Sequence, residues 1–361
     1  MSEVAVAEAK RGCLGVLTRL LAVLLVLALL AAGAVAWLWQ DHARFAQTPL
    51  STPAPSVVVA PGDSVRGVLR KLRAAGVDAG HDWNWLLLAR QVGAAGHIKV
   101  GEYALQPPLS PRELLEHMRD GRVIQYRLTI VEGWNIRQVR AALNAATPLQ
   151  HLTPDLDDAA LMAKLGFPGQ HPEGRFLPET YLYQRGDSDL DVLTRAHKAM
   201  AATLDAAWAR RADNLPLRNP DEALILASIV EKETALAEER PKIAGVFVRR
   251  LQQGMKLQTD PSVIYGIGSR YDGNIRRRDL ETDTPYNTYT RTGLTPTPIA
   301  MPGRAALEAA VQPAPGQALY FVAVGDGSGA HVFSDDYAAH SAAVARYLQR
   351  SRAPVEPVPT P

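Results

Sequence analysis

Twenty consecutive residues, Leu20 to Trp39, carry no charge. That matches the roughly 20 apolar residues needed to cross a bilayer core. Lys10, Arg11 and Arg19 precede the run, and Asp41 and Arg44 follow it. The positive-inside bias therefore predicts a cytoplasmic N-terminus over residues 1–19, a transmembrane helix over 20–39 and the rest of the chain on the far side. Trp37 and Trp39 would lie in the outer interface. A cleaved signal peptide is the competing reading, because Ala32-Gly33-Ala34 and Ala34-Val35-Ala36 both suit cleavage. Signal-peptide cores are about 7–15 residues, shorter than this run, so an uncleaved single-pass anchor is expected. Residues 40–55 are polar and contain Pro49, Pro53 and Pro55, which reads as an extended tether.

Beyond the tether the pattern echoes itself. Val58-Val59-Ala60-Pro61-Gly62-Asp63-Ser64-Val65 and Thr129-Ile130-Val131-Glu132-Gly133-Trp134-Asn135-Ile136 each give a short β-branched strand, a glycine turn and a capping residue. Each is followed by an amphipathic helix, continued by Leu69 and Leu72 in the first copy and closed by Leu143 in the second. Between them, Gly101 to Leu105 predicts a strand, and Ser110 to Arg119 a helix capped by Ser110 and Glu113. A small α+β module spanning 56–149 is the expectation. From 150 to 350 the pattern turns mainly helical, predicting a second domain. Ser188 to Arg211 carries Leu193, Ala196, Met200, Leu204 and Trp208 on one face. A helix opened by Asn219, Pro220 and Glu222 runs into Glu231 and Glu233, and Pro241 to Gln253 forms another. Residues 256–303 read as mostly loop. Leu319–Val324 and His331–Ser334 predict a β-hairpin, Asp336 to Arg350 a closing helix, and 351–361, rich in proline, a disordered tail.

With 361 residues, 47% hydrophobic and 21% charged, the chain has the composition of an ordinary globular protein, and a net charge of +2 with no basic aromatic cluster argues against nucleic acid. Cys13 is the single cysteine, which excludes an intrachain disulfide and a cysteine metal site. The nine histidines form no His-Glu-x-x-His pattern. There is no Gly-x-Ser-x-Gly elbow or phosphate-binding glycine loop. No metal or cofactor is expected.

Three segments offer chemistry. In Leu224-Ile225-Leu226-Ala227-Ser228-Ile229-Val230-Glu231-Lys232-Glu233-Thr234 an apolar helix meets two carboxylates, and desolvation there favours the protonated acid. Alone, the segment reads first as a core helix running out into solvated charge. Glu231 and Glu233, two residues apart, leave different flanks of the helix and cannot form one dyad; periodicity prefers Glu233 only slightly. In Glu173-Gly174-Arg175-Phe176-Leu177-Pro178-Glu179-Thr180-Tyr181, Glu179 begins an aromatic element and alone reads as an ion-paired surface acid. In the loop zone, Gln258, Thr259 and Asp260, with Tyr286, Asn287 and Tyr289, supply the planar rings and the amide and hydroxyl groups that hold sugars.

These motifs in this order, together with Leu257-Gln258-Thr259-Asp260-Pro261 and Tyr286-Asn287-Thr288-Tyr289-Thr290, resemble the YceG-like family of endolytic peptidoglycan transglycosylases, over essentially the whole chain. The resemblance implies a single-pass inner-membrane protein with its catalytic domain in the periplasm. It would cut nascent glycan strands between N-acetylmuramic acid and N-acetylglucosamine, leaving a 1,6-anhydro end and terminating elongation. The 56–149 module then resembles a LysM-like subdomain, and cell-wall synthases are candidate partners. In lytic transglycosylases the acid is a Glu followed by a hydroxyl residue, which selects Glu233-Thr234; the resemblance gives groove roles to Glu179, Gln258, Thr259, Asp260, Tyr286, Asn287 and Tyr289. A hydrolase using Asp260 or Glu179 as second carboxylate, or a non-enzymatic peptidoglycan-binding scaffold, are the alternatives.

Overall fold

A computed structural model describes the backbone of residues 3–352 and the side chains of residues 18–350. Helices and strands mix throughout, and the chain divides into two compact units, Met1–Gln125 and Tyr126–Pro361.

The first unit opens with α1 (Glu3–Gln47). Its segment Thr18–Gln47 is long and apolar enough to cross a membrane. The expected tether is corrected here. Instead of an extended segment from residue 40, the helix continues unbroken to Gln47 and buries His42, Phe45 and Ala46. These positions recur at the spacing of one helix face, so the charges after Trp39 mark the edge of the apolar run and not the end of the helix. There follow β1 (Ser56–Val59), α2 (Val65–Ala74), α3 (Asp82–Gln91), β2 (Gly101–Ala104) and α4 (Pro111–Asp120). β1 and β2 pair antiparallel with Val57 opposite Tyr103. Ser64 caps α2 by accepting the Gly67 N–H, and Ser110 and Glu113 form a full capping box on α4.

The second unit begins with β3 (Tyr126–Thr129) and α5 (Ile136–Ala145), then α6 (Asp158–Lys164), β4 (Thr180–Tyr183) and α7 (Asp189–Ala209). β3 pairs with β4, Leu128 opposite Tyr181. The second copy of the sequence echo therefore folds here and not with the first, so the boundary falls at 125/126 and not at 149/150. The reason is hydrogen bonding: each echoed strand takes its partner from its own unit, and Ile136, Val139 and Leu143 of α5 join a core with Leu161, Phe176, Tyr181 and Leu193.

Next come α8 (Pro220–Glu233), α9 (Arg240–Gln252), α10 (Asp260–Ile267), α11 (Arg277–Glu281) and α12 (Arg304–Val311). The expected loop zone thus contains two short helices and a 3-10 turn, Gly268–Arg270. Short elements of five to eight residues carry too few apolar positions for periodicity to reveal them. β5 (Tyr320–Ala323) and β6 (His331–Ser334) pair antiparallel, and α13 (Tyr337–Arg352) closes the described chain; the remainder of the tail, from 353, lies outside the described residues. At the centre is α8, whose residues Ala223 to Val230 are all buried, packed against α7, α9, α10 and α12. A helix apolar on every side must be surrounded, and that encirclement fixes where its last turn emerges.

Candidate active site

Asn219 accepts the Glu222 N–H and Pro220 occupies the first turn, so α8 has a defined start. The capping box is only half made: the Glu222 carboxylate turns back to the backbone N–H and guanidinium of Arg218. The helix ends at Glu233, with Thr234 extended (φ −145°). A carboxylate there faces the negative end of the helix dipole.

The two acids of this last turn have different surroundings. Glu231 is 5% exposed and both its oxygens are engaged: Oε2 accepts the Gly303 N–H at 2.9 Å, and Oε1 pairs with Arg240 at 3.4 Å. It ties the start of α12 to α8, and a Cβ at Gly303 would displace the carboxylate end of the Glu132 side chain. Glu233 instead lines an open cavity of about 470 Å³. Burial is the main reason that its carboxyl is pushed up to about 7; the neighbouring Asp260 adds to the shift, while the Thr259 hydroxyl and Arg250 oppose it. Thr259 Oγ1 donates to Glu233 Oε1.

The remaining walls come from three elements. Gln258, in the left-handed region at φ 52°, and Asp260 at the start of α10 form one side with Tyr289, whose hydroxyl donates to Asp260 at 2.6 Å. That turn is held from behind: the N–H groups of Gln258 and Thr259 donate to Thr288 O and Oγ1, and buried Ser262 bridges Thr259 O and Thr288 Oγ1. Arg250 forms the floor, donating to the carbonyls of Leu319 and Leu257 at 2.7 Å with its guanidinium 5.1 Å from the Tyr320 ring. Tyr320, Phe321, Tyr337 and His340 make an aromatic wall, with Tyr320 stacked on His340 at 5.1 Å.

Of the residues singled out in the sequence, Glu233, Gln258, Thr259, Asp260 and Tyr289 come together here. Three do not. Glu179 is 54% exposed and pairs with Arg304 at 3.6 Å. Tyr286 packs edge-on to Tyr265 at 4.9 Å and shares a hydrogen bond with Thr297. Asn287 is 1% exposed; its amide donates to the carbonyls of Leu280 and Thr282 and its oxygen accepts the Tyr289 N–H. Asn287 shapes the loop that presents Tyr289, and neither it nor the other two line the cavity.

Sequence reasoning missed Arg250, Tyr320, Tyr337 and His340, which lie on helices and a strand outside the loop zone rich in sugar-binding groups. It also passed over Glu173. That carboxylate is fully buried, accepts the Ile136 N–H at the start of α5 through both oxygens (3.1 and 3.2 Å) and the Tyr265 hydroxyl at 3.0 Å, and is raised to about 7 by burial. Tyr265 lies on α10, so Glu173 braces the helix whose first turn faces Glu233. Among the described residues no group of His, Cys, Asp and Glu side chains is arranged to hold a metal.

An endolytic murein transglycosylase of Bacillus subtilis (strain 168) is 32% identical over 274 residues, covering 71% of this chain and 74% of the relative. One from Streptococcus pneumoniae (strain D39) is 28% identical over 259 residues, 63% of this chain and 46% of its own length. A crystal structure of a YceG-like protein from Listeria monocytogenes aligns with a TM-score of 0.51 at 26% identity, covering 81% of this chain and 99% of that one. The sequence model of the YceG-like family matches residues 57–346, from β1 through most of α13 and across the whole Glu233 cavity; the chain belongs to the YceG-like family.

Proposed function

We propose that the protein is an endolytic lytic transglycosylase of peptidoglycan with Glu233 as its acid and then its base. The observation that carries this is a carboxyl held near pH 7 at the edge of a core and open to an aromatic-lined cavity. Both relatives carry the name endolytic murein transglycosylase.

Protonated Glu233 gives its proton to the glycosidic oxygen between N-acetylmuramic acid and N-acetylglucosamine. The C1–O bond breaks and positive charge develops at C1 and the ring oxygen. The muramic 6-hydroxyl then attacks C1 while ionised Glu233 takes its proton. A 1,6-anhydro ring closes, no water is consumed, and one carboxylate suffices for both steps. The Thr259 hydroxyl donates to Glu233 Oε1 and steadies the ionised form between them. Tyr320, Tyr337 and Tyr289 offer flat faces for sugar rings.

In this reading α1 is a single-pass anchor in the inner membrane, its N-terminus cytoplasmic as Lys10, Arg11 and Arg19 direct, with the second unit periplasmic and wall synthases as the protein partners within reach. The β1–α2–α3–β2 arrangement, two antiparallel strands joined through two helices, is the part we read as LysM-like and glycan-binding.

A hydrolase remains the second reading because Asp260 shares the cavity with Glu233; Glu179, outside it, drops out as that second carboxylate. Digestion of uncrosslinked glycan strands by the full chain in detergent, followed by mass spectrometry of the new ends, separates the two. Anhydromuramic ends support the transglycosylase; free reducing ends favour hydrolysis, and undiminished turnover by Glu233→Gln would overturn both.

A further inference from the structure

We propose that the first unit lies against the bilayer surface, with Trp83 inserted into the lipid headgroup boundary beside Trp39. The inference rests on reading α1 as a membrane anchor and adds a second, non-spanning lipid contact made by the folded unit itself.

Three observations carry it. First, α1 enters the unit as one continuous helix. Its Phe45 packs edge-on to Trp85 at 5.3 Å and lies so close to Gly80 that no Cβ would fit there, and His42 Nε2 hydrogen-bonds Gln91 Oε1 at 3.1 Å. The unit is therefore clamped to the helix and not hung from a flexible tether.

Second, the clamp produces a ladder of rings. Trp39 lies 6.2 Å from His42, and His42 is stacked on Trp83 at 5.9 Å and 28°. His42 is buried in the middle, while both ends of the ladder stay open, Trp39 at 63% and Trp83 at 41% exposure. Trp85, two residues along, is fully buried and donates its indole N–H to Ala79 O. Trp83 is left out of the core although an indole is an expensive group to leave in water.

Third, the heights agree. Twenty residues at 1.5 Å per residue make Leu20 to Trp39 about 30 Å long, the thickness of a hydrocarbon core. That puts Trp39 at its edge. His42 is three residues further, about 4.5 Å along the axis, and the headgroup layer on each side is roughly 5–7 Å deep. Trp83, its ring centroid 5.9 Å from that of His42, is within reach of that layer, where tryptophan is enriched because one side of the ring is apolar and the other hydrogen-bonds.

The test uses the full chain with Cys13→Ser, reconstituted in nanodiscs of phosphatidylcholine and phosphatidylglycerol. A nitroxide is attached at Asp82→Cys, leaving Trp83 intact, or at Val26→Cys in the middle of the span. Depths are read from oxygen and nickel-chelate accessibility, calibrated with headgroup- and chain-labelled lipids. We expect position 26 at chain depth and position 82 at headgroup depth. Position 82 as accessible as free nitroxide, with position 26 immersed, would overturn the lipid contact and leave the anchor standing. Position 26 open to nickel would refute the anchor, and the contact with it.

Discussion

At the scale of single residues, the last turn of α8 shows how environment divides two neighbouring acids. Glu231 is committed to Gly303 and Arg240, so Glu231→Ala leaves the Gly303 N–H without its acceptor and Arg240 with Glu132 alone, at 3.8 Å; losing a buried hydrogen-bond partner costs about 1–3 kcal/mol. Its thermal midpoint should fall clearly, whereas Glu233→Gln should melt at or above the wild type while losing roughly 100-fold or more in turnover, the usual size of a general-acid contribution. The proton-donating form of Glu233 predominates below about 7, so kcat/KM should decline as pH rises through that value. Thr259 donates to the ionised carboxylate and pulls its pKa down. Removing that donor in Thr259→Val should move the alkaline limb of the kcat/KM profile to higher pH; a limb that stays fixed would deny Glu233 the acid role.

Glu173 makes the same physics a matter of stability. Its folded pKa, about 7, lies above the ordinary 4.5. Between those values the folded chain binds more protons than the unfolded chain, so stability falls as pH rises from 4.5 to 7 and levels off beyond. Glu233 contributes in the same direction. Glu173→Gln cannot ionise yet keeps an acceptor for Ile136, so its melting temperature should vary less between pH 5 and 7.5 than that of the wild type, as calorimetry across that range would read.

At the scale of elements, the approach to α10 matters most. Its first turn delivers Thr259 and Asp260, and Gln258 just before it adopts φ 52°, a conformation that costs a non-glycine residue roughly 1 kcal/mol or more. Gln258→Gly should therefore raise stability in chemical denaturation while lowering activity, since the side chain lines the cavity. Equal or lower stability would mean that the backbone there is not strained. This turn also explains why Tyr286, Asn287 and Tyr289, close together in sequence, part company. Asn287 is spent holding carbonyls of the loop, Tyr286 packs toward Tyr265, and Tyr289 alone meets Asp260. Loop residues have no fixed period, so nothing in their spacing says which side chain turns inward.

At the scale of the whole molecule, amphipathic spacing and caps carried far. Ser64, Ser110, Asn135, Ser188 and Asn219 all cap the helices they announce, because these signals are local and act over three or four residues. Apolar continuity likewise marked α8 as central and Leu20 to Trp39 as a stretch with no core of its own. What local pattern cannot encode is which distant segment completes a hydrogen-bond ladder or a cavity wall. β3 found β4 some fifty residues away, which moved the division between the units. Arg250, Tyr320 and His340 came to face Glu233 from elements far apart in sequence, and α1 ran past its polar border because Phe45 had a pocket beside Gly80. By itself the sequence determined the longer amphipathic elements, their caps and a short list of acids, since each depends on neighbours along the chain. Only the tertiary structure decided which acid faces a cavity and which is tied into the framework, because burial and pairing depend on neighbours in space.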